Sequence, residues 1–174
     1  MIFRETTYLP HTEKECAVHP LHPLVMGNEF LVIHSGSYLR IQQDVQDFAQ
    51  LSIANHWRVD PAIQQYLTKP RFAIVITDVQ ECIAWVSSGF TRMTGYTLPE
   101  VNGRKPGLLQ GEGTSPQTKS RIRMQVNRKK VYAGDILNYR KNGQPYYCHL
   151  RISPLYALTG ELMHYIAIER EIRR

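Results

Sequence analysis

Residues 89–116 read GFTRMTGYTLPEVNGRKPGLLQGEGTSP. Glycines stand at 89, 95, 103, 107, 111 and 113, with Pro99, Pro106 and Pro116 among them. Between these breakers sit short apolar clusters: Phe90, Met93 and Tyr96, then Leu98 and Val101, then Leu108 and Leu109. Glycine raises the entropy cost of ordering and proline removes a donor, so no long helix or strand is expected here. Structureless loops of this length are uncommon in compact domains, and the apolar side chains need burial. The stretch therefore predicts several very short helices wrapped over a core, a shape suited to lining a pocket.

On either side the sequence reads as strands. FAIVITD (72–78) is a continuous β-branched apolar run, expected to be a buried strand, and CIAWV (82–86) a second of the same kind. Ser115-Pro116 opens a basic helix reaching about Arg128, with Ile122, Met124 and Val126 as its apolar contribution. Tyr132 to Arg140 and Pro145 to Ser153 are strands joined by a turn at Lys141-Asn142-Gly143. The second alternates cleanly, with Tyr146, Cys148, Leu150 and Ile152 on one face and Tyr147, His149, Arg151 and Ser153 on the other. A last strand follows at Met163 to Ile172. Two strands that begin a domain and three that end it, with helices between, imply an α+β fold: an antiparallel sheet with short helices on one face.

Upstream, residues 1–36 are polar and irregular, with Pro10, Pro20 and Pro23. A helix is expected from Ser37 as N-cap, carrying one apolar stripe of Tyr38, Ile41, Val45 and Phe48. Asp60-Pro61 should start a second short helix that buries Ile63, Tyr66 and Leu67 and stops before Pro70. The expected division is 1–36 irregular, 37–69 a helical extension and 70–172 the α+β domain. The stripe can pack on its own domain or pair with a second copy, and on sequence grounds a homodimer is the expected assembly.

Composition narrows the function classes. The hydrophobic fraction of 43% and charged fraction of 21% suit a soluble globular protein. No apolar run approaches the roughly 18–20 residues that span a bilayer, and MIFRETTYLPHTEKE lacks the form of a secretory signal, so a cytoplasmic protein without membrane contact is expected. The net charge of +6 gathers in KSRIRMQVNRKK (119–130) and at the C-terminal arginines, which reads as a solvated helix face rather than a nucleic-acid site. Cys16, Cys82 and Cys148 have neither disulfide nor zinc spacing. His19 and His22 flank Pro20, a poor frame for metal ligands, and no metal site is expected. No nucleophile–base set or phosphate-cradling loop appears, so no catalytic residues are assigned.

FAIVITD, GFTRMTGYTLPEVNGRKP, NYRKNGQPYYCHLRISPLY and YIAIEREI, in this order, resemble a PAS domain, and GRKPGLLQGEGTSP with LNYRKNG resembles its light-oxygen-voltage branch. The resemblance implies a five-stranded sheet cupped by short helices, serving as a sensor or dimerisation module; residues 1–68 lie outside it. The branch's reactive cysteine falls in a segment that here reads Lys105-Pro106-Gly107-Leu108-Leu109-Gln110, with proline in the place of the thiol and Gly107 in that of the phosphate-binding arginine. Arg104 and Lys105 are nearby substitutes. Gln110 and Asn138 match two flavin-contacting amides, while Cys148 and Glu169 replace two others. The pocket-lining candidates are therefore Gln110, Asn138, Cys148 and Glu169.

The function implied is a non-enzymatic sensory or regulatory module acting through dimerisation or a protein partner in trans. The alternative is a flavin-binding photo- or redox sensor without cysteine-adduct chemistry, with Trp85, Tyr139 and Tyr165 as conceivable electron donors. The competing reading of the pocket is a core filled by Leu108, Leu109, Leu150 and Ile168, with no cofactor. Haem is disfavoured because neither His149 nor His164 alternates into the cup. Glu169 is expected to point into the cup beside Tyr165 and Ala167, either paired with Asn138, Arg140 or Lys105 or protonated, or else to lie in water at a frayed strand end.

Overall fold

The computed structural model describes the backbone of residues 22–173 and the side chains of residues 36–173. A long helix, α1 (His22–Ala54), leads into the short α2 (Ala62–Leu67). Strands β1 (Phe72–Asp78) and β2 (Ile83–Val86) follow, then α3 (Ser88–Thr94), α4 (Leu98–Val101), a 3-10 turn (Pro106–Leu109) and α5 (Pro116–Asn127). Strands β3 (Tyr132–Tyr139), β4 (Pro145–Tyr156) and β5 (Leu162–Ile172) complete the chain. The sheet order is β2-β1-β5-β4-β3, and every neighbouring pair is antiparallel. This is the expected α+β arrangement, and residues 89–116 form the expected chain of short helical turns.

The breakers set those turns. Gly95 takes φ 79° and ends α3, a left-handed conformation that side chains disfavour. Thr97 and Glu100 form a reciprocal capping box at the start of α4, and the Lys141 ammonium also pairs with Glu100. Ser115 accepts from the Thr118 amide and caps α5. At Gly89 the helix lies against β1 so closely that a Cβ would stand 2.0 Å from the Phe72 carbonyl oxygen.

The sheet is covered on both faces. Inward, Ala73, Val75, Ile136, Cys148 and Leu150 pack against Phe90, Met93, Val101 and Leu109 of the cup. Outward, Ile74, Ile76, Trp85, Leu155 and Ile166 pack against Phe48, Trp57, Ile63 and Leu67 of the helical extension. The aromatic rings of this outer layer lie at contact range, Phe48 being 6.0 Å from Trp57 and 6.4 Å from Trp85.

Three hydrogen-bonded contacts fix the extension. Buried Asp44 accepts from the Ser88 amide and hydroxyl, the latter at 2.6 Å, at the N-terminus of α3. The Trp57 indole donates to His164 Nδ1 at 3.1 Å, which requires that nitrogen to be unprotonated; burial correspondingly pushes the His164 pKa down. Residues 56–58 also pair with the chain at 156–158 through Arg58 N to Tyr156 O and Leu158 N to His56 O, both 2.8 Å.

One expectation for the extension is corrected. The helix begins at His22 rather than at Ser37, so the segment 22–36 is helical and not irregular. Pro23 sits in the first turn, where its missing N–H costs nothing, and a single glycine at 36 costs only about 1 kcal/mol, too little to stop a helix. Of the two readings of the stripe, packing on its own domain holds for Ile41 and Phe48, which are buried in their own chain, while Tyr38 stays exposed. Residues 1–21, with Cys16 and His19, lie outside the described residues, as does the side chain of His22.

Replacing Phe48 by alanine is expected to destabilise the fold by about 3–5 kcal/mol, because it empties a packed aromatic site. Urea unfolding measures this. Unchanged stability together with a change of oligomeric state would instead show that the stripe faces a second chain.

Candidate functional site

Period-two alternation on four strands brings one set of side chains beneath the cup. Val75 and Thr77 of β1, Ile136 and Asn138 of β3, Leu150 and Ile152 of β4, and Tyr165, Ala167 and Glu169 of β5 all face inward. Lys105, Pro106, Gly107, Leu109 and Gln110 form the wall opposite, and Lys119, Ile122, Arg123 and Val126 of α5 close the side. Together they enclose a cavity of about 220 Å³. Three of the four candidates, Gln110, Asn138 and Glu169, line it. Cys148 does not: it is wholly buried behind Glu169, with its Sγ 3.9 Å from Glu169 Oε2.

The cavity floor holds a polar group, the Asn138 amide, whose hydrogen-bonding capacity is not filled. Asn138 is 5% exposed, and its Oδ1 accepts no hydrogen bond. The Tyr146 hydroxyl, on the residue directly across the β3–β4 pair, is buried beside Asn138 outside the cavity lining and forms no hydrogen bond of full geometry among the described residues. Groups left in this state cost about 1–3 kcal/mol each, so their retention needs a reason.

Glu169 is 5% exposed, which removes the reading that leaves it in water at a frayed strand end. Its expected ion-pair partners are elsewhere. The Arg140 guanidinium bonds the Met93 carbonyl and Glu171, the latter at 2.7 Å, and Lys105 stands at the exposed mouth. Among the described residues only the Cys148 thiol bonds Glu169. Burial pushes the Glu169 carboxyl up to about 7, and the thiol hydrogen bond offsets this only in part. Burial, reinforced by Glu169, also raises the Cys148 and Tyr146 pKa values far enough that both keep their protons. Cys148 is thus an inert packed thiol rather than a nucleophile.

The cationic residues differ from the sequence expectation in identity. Arg104 reaches back to the Glu100 carbonyl and does not line the cavity, whereas Lys105 does. Lys119 and Arg123, one helical turn apart, were hidden in a basic run that reads as solvated surface. Their common spacing with inward-facing Ile122 and Val126 is the signal that turns them toward the cavity. Of the suggested electron donors only Tyr165 lines the cavity, with its hydroxyl donating to the Val126 carbonyl at 3.0 Å. Trp85 belongs to the outer layer, and the Tyr139 hydroxyl accepts from the Gly113 amide at the sheet edge. Ile168, expected in the inner packing, also faces the outer layer. His149 pairs with Asp135 and His164 with Trp57; neither lines the cavity. Among the described residues no three His, Cys, Asp or Glu side chains are grouped to hold a metal ion, and no helix is long and apolar enough to cross a membrane.

Comparison with known proteins gives a family and a set of relatives. Residues 71–174 match the model of the PAS domain. The chain is 35% identical over 128 residues to Phototropin-1A of Oryza sativa subsp. japonica, covering 72% of this chain and 14% of that protein. It is 33% identical over 90 residues to the blue-light-activated histidine kinase of Brucella ovis, covering 52% of this chain and 18% of the kinase. The chain thus spans less than a fifth of either relative. Among solved structures, a light-oxygen-voltage domain studied with a flavin analogue superposes with a TM-score of 0.60 at 30% identity, over 66% of this chain and 87% of that one. The domain from the Erythrobacter litoralis EL346 blue-light activated histidine kinase gives 0.56 at 27% identity, over 59% and 97%.

A buried acid with a raised pKa favours folding most when it is protonated. The Glu169 contribution is therefore fully present below the ordinary glutamate range and is lost as pH rises through about 7, on the order of 3 kcal/mol by well above that pH. Wild-type protein should lose unfolding free energy between about pH 4 and about pH 8, and Glu169→Gln should remove that part of the loss. Parallel pH profiles for the two proteins would contradict a buried, neutral Glu169.

Proposed function

The chain belongs to the PAS domain family and is homologous to blue-light photoreceptors and light-activated histidine kinases; from that premise we propose that it is a sensory module whose cavity takes a flavin and which signals without itself catalysing a reaction. The observation that carries this reading is the Asn138 amide oxygen, buried without a donor and lining the cavity. A flavin ring presents adjacent donors and acceptors along one edge, which Asn138 and Gln110 can match. Val75, Leu109, Leu150 and Ile152 supply apolar walls, and Lys105, Lys119 and Arg123 suit a phosphate tail. At about 220 Å³ the cavity lies just below the roughly 300–1,000 Å³ of drug-sized ligand sites, which accords with holding the ring system rather than a whole nucleotide.

When bound, flavin would supply blue-light absorption and redox chemistry. The protein's part is to hold and orient the ring, keep water from it and set the proton inventory around it. Pro106 and Gly107 line the cavity where the resemblance places the reactive thiol, and neither Cys82 nor Cys148 lines it. The proposed response therefore proceeds without a cysteine adduct.

Purified protein should show flavin absorption and fluorescence, or acquire them on addition of flavin mononucleotide. Asn138→Ala should weaken binding about tenfold, the equivalent of roughly 1.4 kcal/mol. Mass spectrometry after blue illumination should find every cysteine unmodified. A protein that takes up no flavin sinks the ligand reading, and a trapped flavin–cysteine adduct sinks the adduct-free response.

The partner proposed is a second copy of the chain, met through the outward side of α1. There Leu39 and Ile53 are 65% and 73% exposed, on the side away from Ile41 and Phe48, and Tyr38 at the border of that side is 62% exposed. The double substitution Leu39→Glu with Ile53→Glu should reduce the mass measured by light scattering to that of a monomer, with the melting temperature unchanged. Persistence of the dimer would place the contact elsewhere.

A further inference from the structure

One side chain of the cavity does not fit the role of a passive wall. Glu169 sits on the inner face of β5, registered between Ala73 of β1 and Leu150 of β4, so both cross-strand neighbours are apolar. One carboxyl oxygen, Oε2, accepts from Cys148, and among the described residues no hydrogen bond engages the other. Among the described residues no cation pairs with it. Arg140 is committed to Met93 and Glu171, Lys141 to Glu100, and neither Lys105 nor the α5 cations form a salt bridge with it. A carboxylate in such surroundings is favoured in its neutral form, where it carries one O–H donor. In the same cavity Asn138 Oδ1 is an acceptor awaiting a donor. The two groups are complementary: one requires an N–H or O–H from the ligand, the other offers an O–H to it.

We propose that Glu169 is the hydrogen-bond donor of this cavity, its carboxyl kept protonated by its apolar surroundings and offered to an acceptor on the ligand's ring, so that ligand binding is linked to pH. The inference rests on the flavin reading and adds to it the residue that makes binding proton-dependent. The other titratable groups around Glu169 do not mimic this behaviour. From β4, Cys148 and Tyr146 face it with pKa values raised well beyond neutrality. Tyr165, on its own strand, is raised as well. Glu81, from the turn before β2, and the cations Lys105, Lys119 and Arg123 line other parts of the cavity without bonding it. β1 contributes no titratable group next to Glu169, and β3 contributes the non-titrating Asn138.

The sign follows from linkage. A ligand that accepts the Glu169 O–H binds the protonated form, so its affinity is full at low pH and falls once the carboxyl of the free protein ionises. The limiting slope is about tenfold per pH unit. Glutamine at 169 would donate through its amide at every pH while still accepting from the Cys148 thiol.

The test uses the full chain and riboflavin, which has no phosphate whose own ionisation would confuse the result. Fluorescence titrations from about pH 6 to about pH 9 should show wild-type affinity falling at least about tenfold and E169Q affinity changing less than about twofold. Independently, the ligand-free wild-type protein should show the infrared carbonyl band of a protonated carboxylic acid at neutral pH, and E169Q should lack it. Wild-type affinity as flat as that of E169Q overturns the proposal. So does a carboxyl already ionised at about pH 6, in the ordinary glutamate manner. Riboflavin uptake by a protein whose Glu169 is ionised sinks this inference alone. A protonated band with no uptake at any pH sinks the flavin reading and the donated hydrogen bond with it.

Discussion

In β1 every residue from Ala73 to Thr77 is 7% exposed or less, and strand geometry sends alternate members of that run to opposite sides of the sheet. Neither side can then be left to water. The inner side is met by the cup, through Phe90 and Val101, and the outer side by the extension, through Phe48, Trp57 and Leu67. The extension is therefore part of the folded unit. Buried Asp44 makes the same point with polar chemistry, since its carboxylate is satisfied by Ser88 at the start of α3. An alanine there would leave a helix terminus without its acceptor and α1 without its anchor.

How much of this could be read from residue order depends on whether the signal was local. FAIVITD, the alternation from Tyr146 to Ile152 and the turn at Lys141-Asn142-Gly143 carry their own periods and breakers, and the strands lie where those place them. The α1 stripe gave its periodicity correctly, but periodicity does not name the surface that a stripe meets. Only the outward residues of β1 and β2, brought near by the fold, decide that Phe48 is internal. Ser35-Gly36-Ser37 has the form of a cap, but the energy at stake there is small beside helix continuity, and α1 is already helical at His22.

The site shows the same limit. Asn138, Gln110 and Glu169 are each placed by strand alternation or by the short turns, and those three meet at one cavity. Cys148 has the right phase, but its side chain ends beneath Glu169 instead of at the cavity surface. Arg140 looked close enough in sequence terms to pair with Glu169, yet the β4–β5 register brings Glu171 to the rim, where solvent can reach the ion pair. An exposed pair of this kind contributes little to stability. Its consequence is negative: it leaves Glu169 without the Arg140 guanidinium as a partner.

β5 is the strand on which the two layers meet. It pairs with β1 on one side and β4 on the other, and successive residues serve the two faces in turn: Tyr165, Ala167 and Glu169 line the cavity, while Ile166 and Ile168 pack beneath the extension. A change of charge at Glu169 must be accommodated by a strand held in register on both sides. Packed interiors do not yield smoothly, so such a change is resisted until a discrete rearrangement answers it. On the outer face the polar contacts lie at the ends of the layer, in the Trp57–His164 and Asp44–Ser88 hydrogen bonds, with the Phe48, Trp57 and Trp85 rings packed between them. Cavity and extension are thus separated by a single residue step along β5, and the physical distance between a ligand event and the helical layer is the thickness of one sheet.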